Sequence, residues 1–311
     1  MQILIDVVLP VFLIIGLGYF VRWRNLVTDQ AVDGLMQFAQ SFALPIMLFR
    51  AASRLDLSTS FDLPLLASFF SGAFAGFIVA ALIARFVFKR DWADCCVFGF
   101  AGMFSNTLLL GLPITERAYG AQALAGNYAI IALHSPLLYG LGVTVMEMVK
   151  NRGQGGSPLK VFFNVLKGLA RTPLVVGLMC GFAVNLTGLP VPTAVGDAAD
   201  MLSRAGIPAA LFALGGVLYR YRPDGDMRLV MVICATSLVL HPAISYTLGR
   251  AFDLSDAALR SVVITAAMAP GVNAYLFGNM YGVGKRVSAS AVLIGTALTV
   301  LTAWVWLQIL P

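Results

Sequence analysis

The sequence is poor in charge. Asp, Glu, Lys and Arg make up 12% of its 311 residues, against 59% hydrophobic residues. Soluble domains carry about 25% charged residues. Half that content leaves too little polar surface to cover a globule, so most of the chain must face lipid or other apolar helices. CxxC pairs are absent: Cys95 and Cys96 open one apolar run, and Cys180 and Cys234 lie inside two others. Thiols so placed read as small buried hydrophobes, not as a metal site. Histidine is scarce, and neither His134 nor His241 belongs to an HExxH motif. GxSxG and Walker A are missing too, so acyl transfer and ATP-driven work have no visible machinery. The DxxD of Asp197 and Asp200 is not the paired acidic motif of intramembrane prenyl transfer. Neither catalysis nor a cofactor or metal is expected. The net charge of +6 comes without a basic patch interleaved with aromatics, so no nucleic-acid partner is expected.

What is present is a series of long apolar runs. Each is close to the ~20 residues a helix needs to cross a bilayer. Ten spans are expected: Ile3–Val21, Ala31–Phe49, Pro64–Phe88, Cys95–Leu112, Asn127–Val149, Thr172–Gly188, Asp197–Leu218, Leu229–Gly249, Leu259–Tyr281 and Ser288–Leu310. The fold class is therefore an all-α polytopic membrane protein. The first run carries Asp6 where a secretion signal has basic residues, and basic residues follow it, so it reads as a span. The only long polar connection, Lys150–Lys160, is rich in Gly, Ser and Pro and reads as a linker. Val161–Arg171 is amphipathic and is expected to lie along the membrane surface.

The basic residues divide unevenly. Fifteen, including Arg22, Arg85, Lys150, Arg220 and Lys285, flank the odd-numbered loops; six, including Arg50, Arg117 and Arg260, flank the even ones. By the positive-inside rule the odd loops are cytoplasmic. Both termini then lie outside an inner, bacterial cell membrane.

The chain also repeats itself. Pro10 matches Pro173, Gly18 matches Gly181, Pro45 matches Pro208 and Phe49 matches Phe212, all at a spacing of 163 residues. Asn106 matches Asn273 and Gly111 matches Gly278 at a spacing of 167. Each unit holds five spans. An odd count makes the second copy enter the membrane from the opposite side, the inverted arrangement typical of secondary transporters. The expected organisation is a first repeat over 1–149, a linker and interfacial helix over 150–171, and a second repeat over 172–311.

Two spans are irregular. The fourth packs Ser105, Asn106, Thr107, Gly111 and Pro113 into nine residues, and the ninth has Pro270, Gly271 and Asn273 at mid-span. Proline removes a helix donor and glycine permits the bend, so both spans are expected to unwind near the midplane. Freed amides at half-helix N-termini carry partial positive charge and suit carboxylates. A pair of Gly/Pro-interrupted spans at corresponding positions is a pointer to a transport site. The same asparagines also suit helix–helix hydrogen bonding.

The ordered set LPxxLF (Leu44–Phe49), SNTxxLGLP (Ser105–Pro113), IPxALFxLG (Ile207–Gly215) and APxxNxYLFG (Ala269–Gly278) resembles the auxin efflux carrier family, including its bacterial malonate and malate permease-like members. The resemblance runs over essentially the whole chain. It implies a scaffold of spans one, two, six and seven, and a mobile domain of spans three to five and eight to ten. It further implies crossed broken helices four and nine, elevator-like movement, a homodimer and organic-anion substrates. Plant members have Asn-Pro-Asn-Thr at the first crossing; here Phe104-Ser105-Asn106-Thr107 stands there. With the proline replaced, the expected break moves toward Gly111 and Pro113.

Other polar residues fall inside apolar runs. His134 and His241 suit either proton relay or structural hydrogen bonds beside prolines. Asp200 is expected to pair with Arg204 one turn on. Glu147 is expected to be solvated at a span end, and Asn127, Tyr128 and Asn279 border the expected cavity. The function that follows is secondary transport of a small organic anion, coupled to a proton or sodium or uncoupled. A sodium-coupled uptake carrier similar to bile-acid symporters is the near variant, and an intramembrane enzyme or sensor in the same cavity is the alternative of another class.

Overall fold

The computed structural model describes residues 2–55, 62–150 and 170–311, with residues 159, 163, 165, 167 and 168 between them. Most of the expected linker and interfacial helix lies outside the described residues. The described residues form helices and loops, with one isolated β-bridge.

Among the described residues, seven helices are long and apolar enough to cross a membrane: α1 (Leu4–Trp23), α2 (Asp29–Arg54), α3 (Leu63–Phe86), α6 (Ala121–Lys150), α8 (Thr193–Tyr219), α9 (Met227–Ala251) and α12 (Lys285–Ile309). The other expected spans are shorter. The sixth is α7 (Pro173–Thr187), entered through Pro173 and closed by Gly188 in the left-handed region at φ 64°. The fourth and ninth each fall into two pieces, α4 (Trp92–Met103) with α5 (Leu112–Tyr119), and α10 (Asp256–Ala266) with α11 (Val272–Tyr281). Large apolar side chains stay on the surface, among them Leu13, Ile78, Met179 and Leu186. Lipid is the solvent that makes such exposure favourable.

Four prolines are accommodated by one repeated device. Among the described residues four π turns occur: Leu4–Val8, Ala39–Ala43, Thr107–Gly111 and Thr236–Leu240. Each is followed at its second residue by a proline: Pro10, Pro45, Pro113 and Pro242. A proline ring would clash with the carbonyl four residues back. Widening the turn by one residue clears that carbonyl. The amides before the last three prolines then bond five residues back, Leu44 to Ala39, Leu112 to Thr107 and His241 to Thr236. The helix continues past the proline without exposing polar backbone, as the bilayer requires.

The chain divides into two compact units. One comprises Leu9–Ser60 and Lys167–Arg220, the other Met1–Val8, Phe61–Leu166 and Tyr221–Pro311. In the first, α1 packs on α8 and α7 on α2 through glycines. A Cβ at Gly18 would land on the Phe212 carbonyl, and one at Gly181 on the Phe49 carbonyl. These two contacts are the same contact with its partners exchanged at the 163-residue spacing. Ion pairs tie the helix ends: Arg22 to Asp29, and Arg220 to Asp29 and Asp33. Asp200 does not pair with Arg204. It takes a bidentate pair from Arg50, with both oxygens at 2.6 Å. Both candidates are arginines, so the fork itself does not decide; Arg50 wins because the fold sets two of its donors on the two carboxylate oxygens at once.

In the second unit α3 lies against α4, where a Cβ at Gly76 would come 2.6 Å from the Gly102 oxygen and one at Gly102 would come 2.9 Å from that of Gly76. Every residue from Cys95 to Met103 is buried, so α4 is hydrophobic all round because it is enclosed all round.

Candidate functional site

The two broken helices cross at their breaks. Helix α4 ends at Met103 and α10 at Ala266; the non-helical stretch Phe104–Asn106 follows the first, and Ala267–Gly271, entered through a turn, follows the second before the next half-helix begins. Ser105 and Pro270 face each other as an antiparallel bridge. Asn106 N donates to Ala269 O and Gly271 N to Phe104 O, both at 2.8 Å. The central pair makes no hydrogen bond of its own, which explains how a residue without an N–H can sit there. Pro270 loses nothing by pairing at that position, and Ser105 opposite needs no ring.

The first break therefore lies at Phe104–Asn106, not near Gly111 and Pro113. Gly111 closes the π turn and Pro113 is the second residue of α5, so both belong to continuing helix. The register differs from the Asn-to-Asn match as well. The bridge sets Ser105 against Pro270 at a spacing of 165 residues, and its two hydrogen bonds exchange under that spacing. Asn106 and Gly271 are the equivalent N-caps, and Asn273 is the second residue of α11.

Asn106 is 8% exposed. Its Oδ1 accepts from Leu109 N at 3.3 Å, and its main-chain oxygen accepts from Leu110 and Gly111. That caps the half-helix. Its Nδ2 is buried without a partner among the described residues, as is Ser105 Oγ beside it. Thr107 is buried one residue on. Across the bridge, Asn273 Oδ1 accepts from the Tyr139 hydroxyl of α6 at 3.2 Å. Two half-helix N-termini start here, after Asn106 and after Gly271, and bring partial positive charge; in the first, Thr107 N is taken by Ser105 O and Leu109 N by Asn106 Oδ1. Buried unpartnered polar atoms beside two half-helix N-termini, with no carboxylate bonded to them among the described residues, make an arrangement suited to a small anion.

Aromatic rings wall one side. Phe104 stacks on Phe100 at 5.0 Å and Phe100 on Phe277 at 4.2 Å, while the Tyr139 ring packs edge-on against Phe100 and Phe104. His134 lies beside the crossing with its ring 4.4 Å from Phe104. His241 lies further back, bonded through Nε2 to Phe69 O at 3.1 Å. Phe69 separates the two imidazoles, with centroids 5.8 Å from His134 and 4.8 Å from His241. His134 Nε2 and His241 Nδ1 have no partner among the described residues.

The remaining polar residues have other tasks. Asn127 Nδ2 donates to Thr115 Oγ1 at 3.1 Å and Thr265 Oγ1 at 2.8 Å, pinning α6 to α5 and α10. Glu147 is half-buried and accepts from the Tyr281 hydroxyl, and Asn279 is exposed. A separate cavity of about 330 Å³ lies in the other unit among Arg50, Ser53, Arg54 and Asn185. Its arginines already face Asp200, Arg50 at 2.6 Å and Arg54 at 3.8 Å. Sequence reasoning overlooked Tyr139, which no motif marks; only its place on the apolar run after His134 hinted at it.

A helical, lipid-exposed chain with two helices broken around unpartnered donors is the build of a membrane transporter. The membrane transport protein family matches residues 3–307, and the chain belongs to it; this is the family of the auxin efflux carriers. Relatives agree. A Rhizobium meliloti protein named "Putative malonate transporter" is 25% identical over 95% of this chain and 92% of its own. "Uncharacterized transporter YfdV" of Escherichia coli K12 is 20% identical over 97% and 96%. "Auxin efflux carrier component 5" of Arabidopsis thaliana is 22% identical over 96% and 95%.

Proposed function

We propose that this transporter is a secondary carrier for small organic anions, and that the substrate carboxylate binds where the broken helices cross. The observation that carries the reading is the pair of buried, unpartnered polar atoms, Asn106 Nδ2 and Ser105 Oγ, beside two half-helix N-termini. A buried polar group without a partner costs about 1–3 kcal/mol, so a ligand that accepts hydrogen bonds is favoured there. The name of the Rhizobium relative makes malonate the first substrate to try.

The mechanism proposed is alternating access in ten spans arranged as inverted repeats. The unit holding α2, α7 and α8 serves as scaffold, and the unit holding the crossing carries the substrate. Support comes from the division into two compact units and from the exchanged glycine contacts. A homodimer built on the scaffold, a bacterial inner-membrane location with both termini periplasmic, and coupling to a proton or sodium complete the proposal. His134 and His241 are the groups proposed for a proton.

The test is uptake of labelled malonate and malate into proteoliposomes under imposed proton or sodium gradients. Saturable flux, lost in Asn106→Ala, supports the reading, and the effective gradient names the coupling ion. Folded protein that carries neither acid under any gradient refutes the dicarboxylate assignment.

A further inference from the structure

We infer that the Pro10 turn is a hinge inside α1, and that Arg117 is the positioning residue that ties the short side of that hinge to the half-helix beginning at the crossing. The inference rests on the proposal that the two units move against each other during transport.

The chain passes from one unit to the other inside a single helix. The boundary falls between Val8 and Leu9, within α1. The boundary at Arg220–Tyr221 lies past the end of α8, where a loop absorbs motion. At Val8–Leu9 no loop intervenes, so a shift of one unit against the other is taken up by a bend in α1. The bend has a prepared place. Pro10 has no N–H to give the carbonyl four residues back, that of Asp6. The π turn Leu4–Val8 spends one residue more than an α turn and leaves a further carbonyl short of a donor. Arg117, in the last turn of α5, supplies both. Its Nη2 donates to Asp6 O at 2.6 Å and its Nε to Val7 O at 3.2 Å. Within the same unit the turn packs on α5 and α12. From Leu9 on, α1 belongs with α8, where a Cβ at Gly215 would land on the Ile15 carbonyl. A second proline is served in the same way: Trp306 Nε1 donates at 3.0 Å to Leu238 O, four residues before Pro242. That turn lies wholly inside one unit. At Pro10 the device stands on a unit boundary, and side-chain bonds replace ladder bonds where the helix must flex. Prolines and π turns are where helices kink, and hinges are a few residues at such places.

The experiment measures, on the full chain, equilibrium malonate binding in nanodiscs and maximal malonate flux into proteoliposomes. Pro10→Ala returns an N–H to the ladder and stiffens the turn. Affinity is expected to stay within about twofold, because the crossing is untouched, while maximal flux falls roughly fivefold or more. Adding Leu9→Gly, at a side chain exposed on the helix surface, lets the helix bend again and should recover the flux. A merely structural proline would move the melting temperature and leave the flux at saturation in place. Arg117→Met should lower the melting temperature of wild type more than that of Pro10→Ala, since alanine supplies part of what the guanidinium gave. Unchanged flux in Pro10→Ala overturns the hinge. So does a Pro10→Ala chain that fails to fold, or a flux that Leu9→Gly does not recover. Equal losses from Arg117→Met in the two backgrounds overturn the role of Arg117. Wild-type protein that carries neither malonate nor malate fails the transport reading and the hinge with it, and that outcome is visible before any variant is made.

Discussion

Asn106 does two things at once, and two substitutions separate them. Its oxygen caps the half-helix through Leu109 N, and its amino group is the unpartnered donor. Asn106→Ala removes both. Loss of the cap costs about 1 kcal/mol of stability. Loss of a hydrogen bond to a charged ligand costs about 1.5–3 kcal/mol of binding, which corresponds to roughly 10-fold to 150-fold in affinity. Asn106→Asp removes only the donor. Aspartate caps a helix about as well as asparagine, and the half-helix N-terminus favours its ionised form. The aspartate variant should therefore melt near wild type, yet bind malonate worse than the alanine variant, because it sets a like charge against the substrate. Calorimetric titration of malonate into nanodisc-held protein, together with thermal unfolding, reads both quantities. An aspartate variant that is folded and binds malonate as tightly as wild type would refute the assignment of Asn106 to the substrate.

The exchanged glycine contacts give a paired prediction. Gly18→Val and Gly181→Val each drive a side chain into a carbonyl, of Phe212 and Phe49. Each should cost about 1–3 kcal/mol or more, and the two melting temperatures in detergent should fall by similar amounts; one tolerated and one disruptive substitution would refute the equivalence. The cysteines give another. Cys95, Cys96 and Cys234 are buried and Cys180 is exposed at the middle of α7, on a surface that lipid or detergent covers, so an apolar, micelle-permeant maleimide should label native, detergent-solubilised protein once per chain, and Cys180→Ser should abolish that labelling.

Much of the fold is readable from composition and periodicity, because lipid demands long apolar helices and little else satisfies the backbone there. The second break was legible from Pro270 and Gly271 together, a lost helix donor beside a residue that permits the bend, at mid-span. The first break was misplaced toward Gly111 and Pro113 for a physical reason. Proline can be absorbed locally by a widened turn, and the turn Thr107–Gly111 absorbs Pro113. What unwinds Phe104–Asn106 is pairing with Ala269–Gly271, a contact more than 160 residues away that no local rule can see. The same distance hid the partner of Asp200, which local spacing assigned to Arg204 and the fold gives to Arg50. Ser105, Asn106 and Asn273 were legible as polar residues in apolar runs. Which atom of Asn106 stays unpartnered was not, because that depends on Leu109 N, which takes its oxygen.

Position 105 pairs without contributing a hydrogen bond to its opposite strand. A proline there would forfeit only the 3.2 Å bond from Ser105 N to Met103 O. Serine and proline are commonly one base substitution apart. A hydroxyl can thus be exchanged for a ring at the centre of the proposed substrate site in a single mutational step, without dismantling the crossing, and on that proposal a change of cargo need not wait for a change of fold.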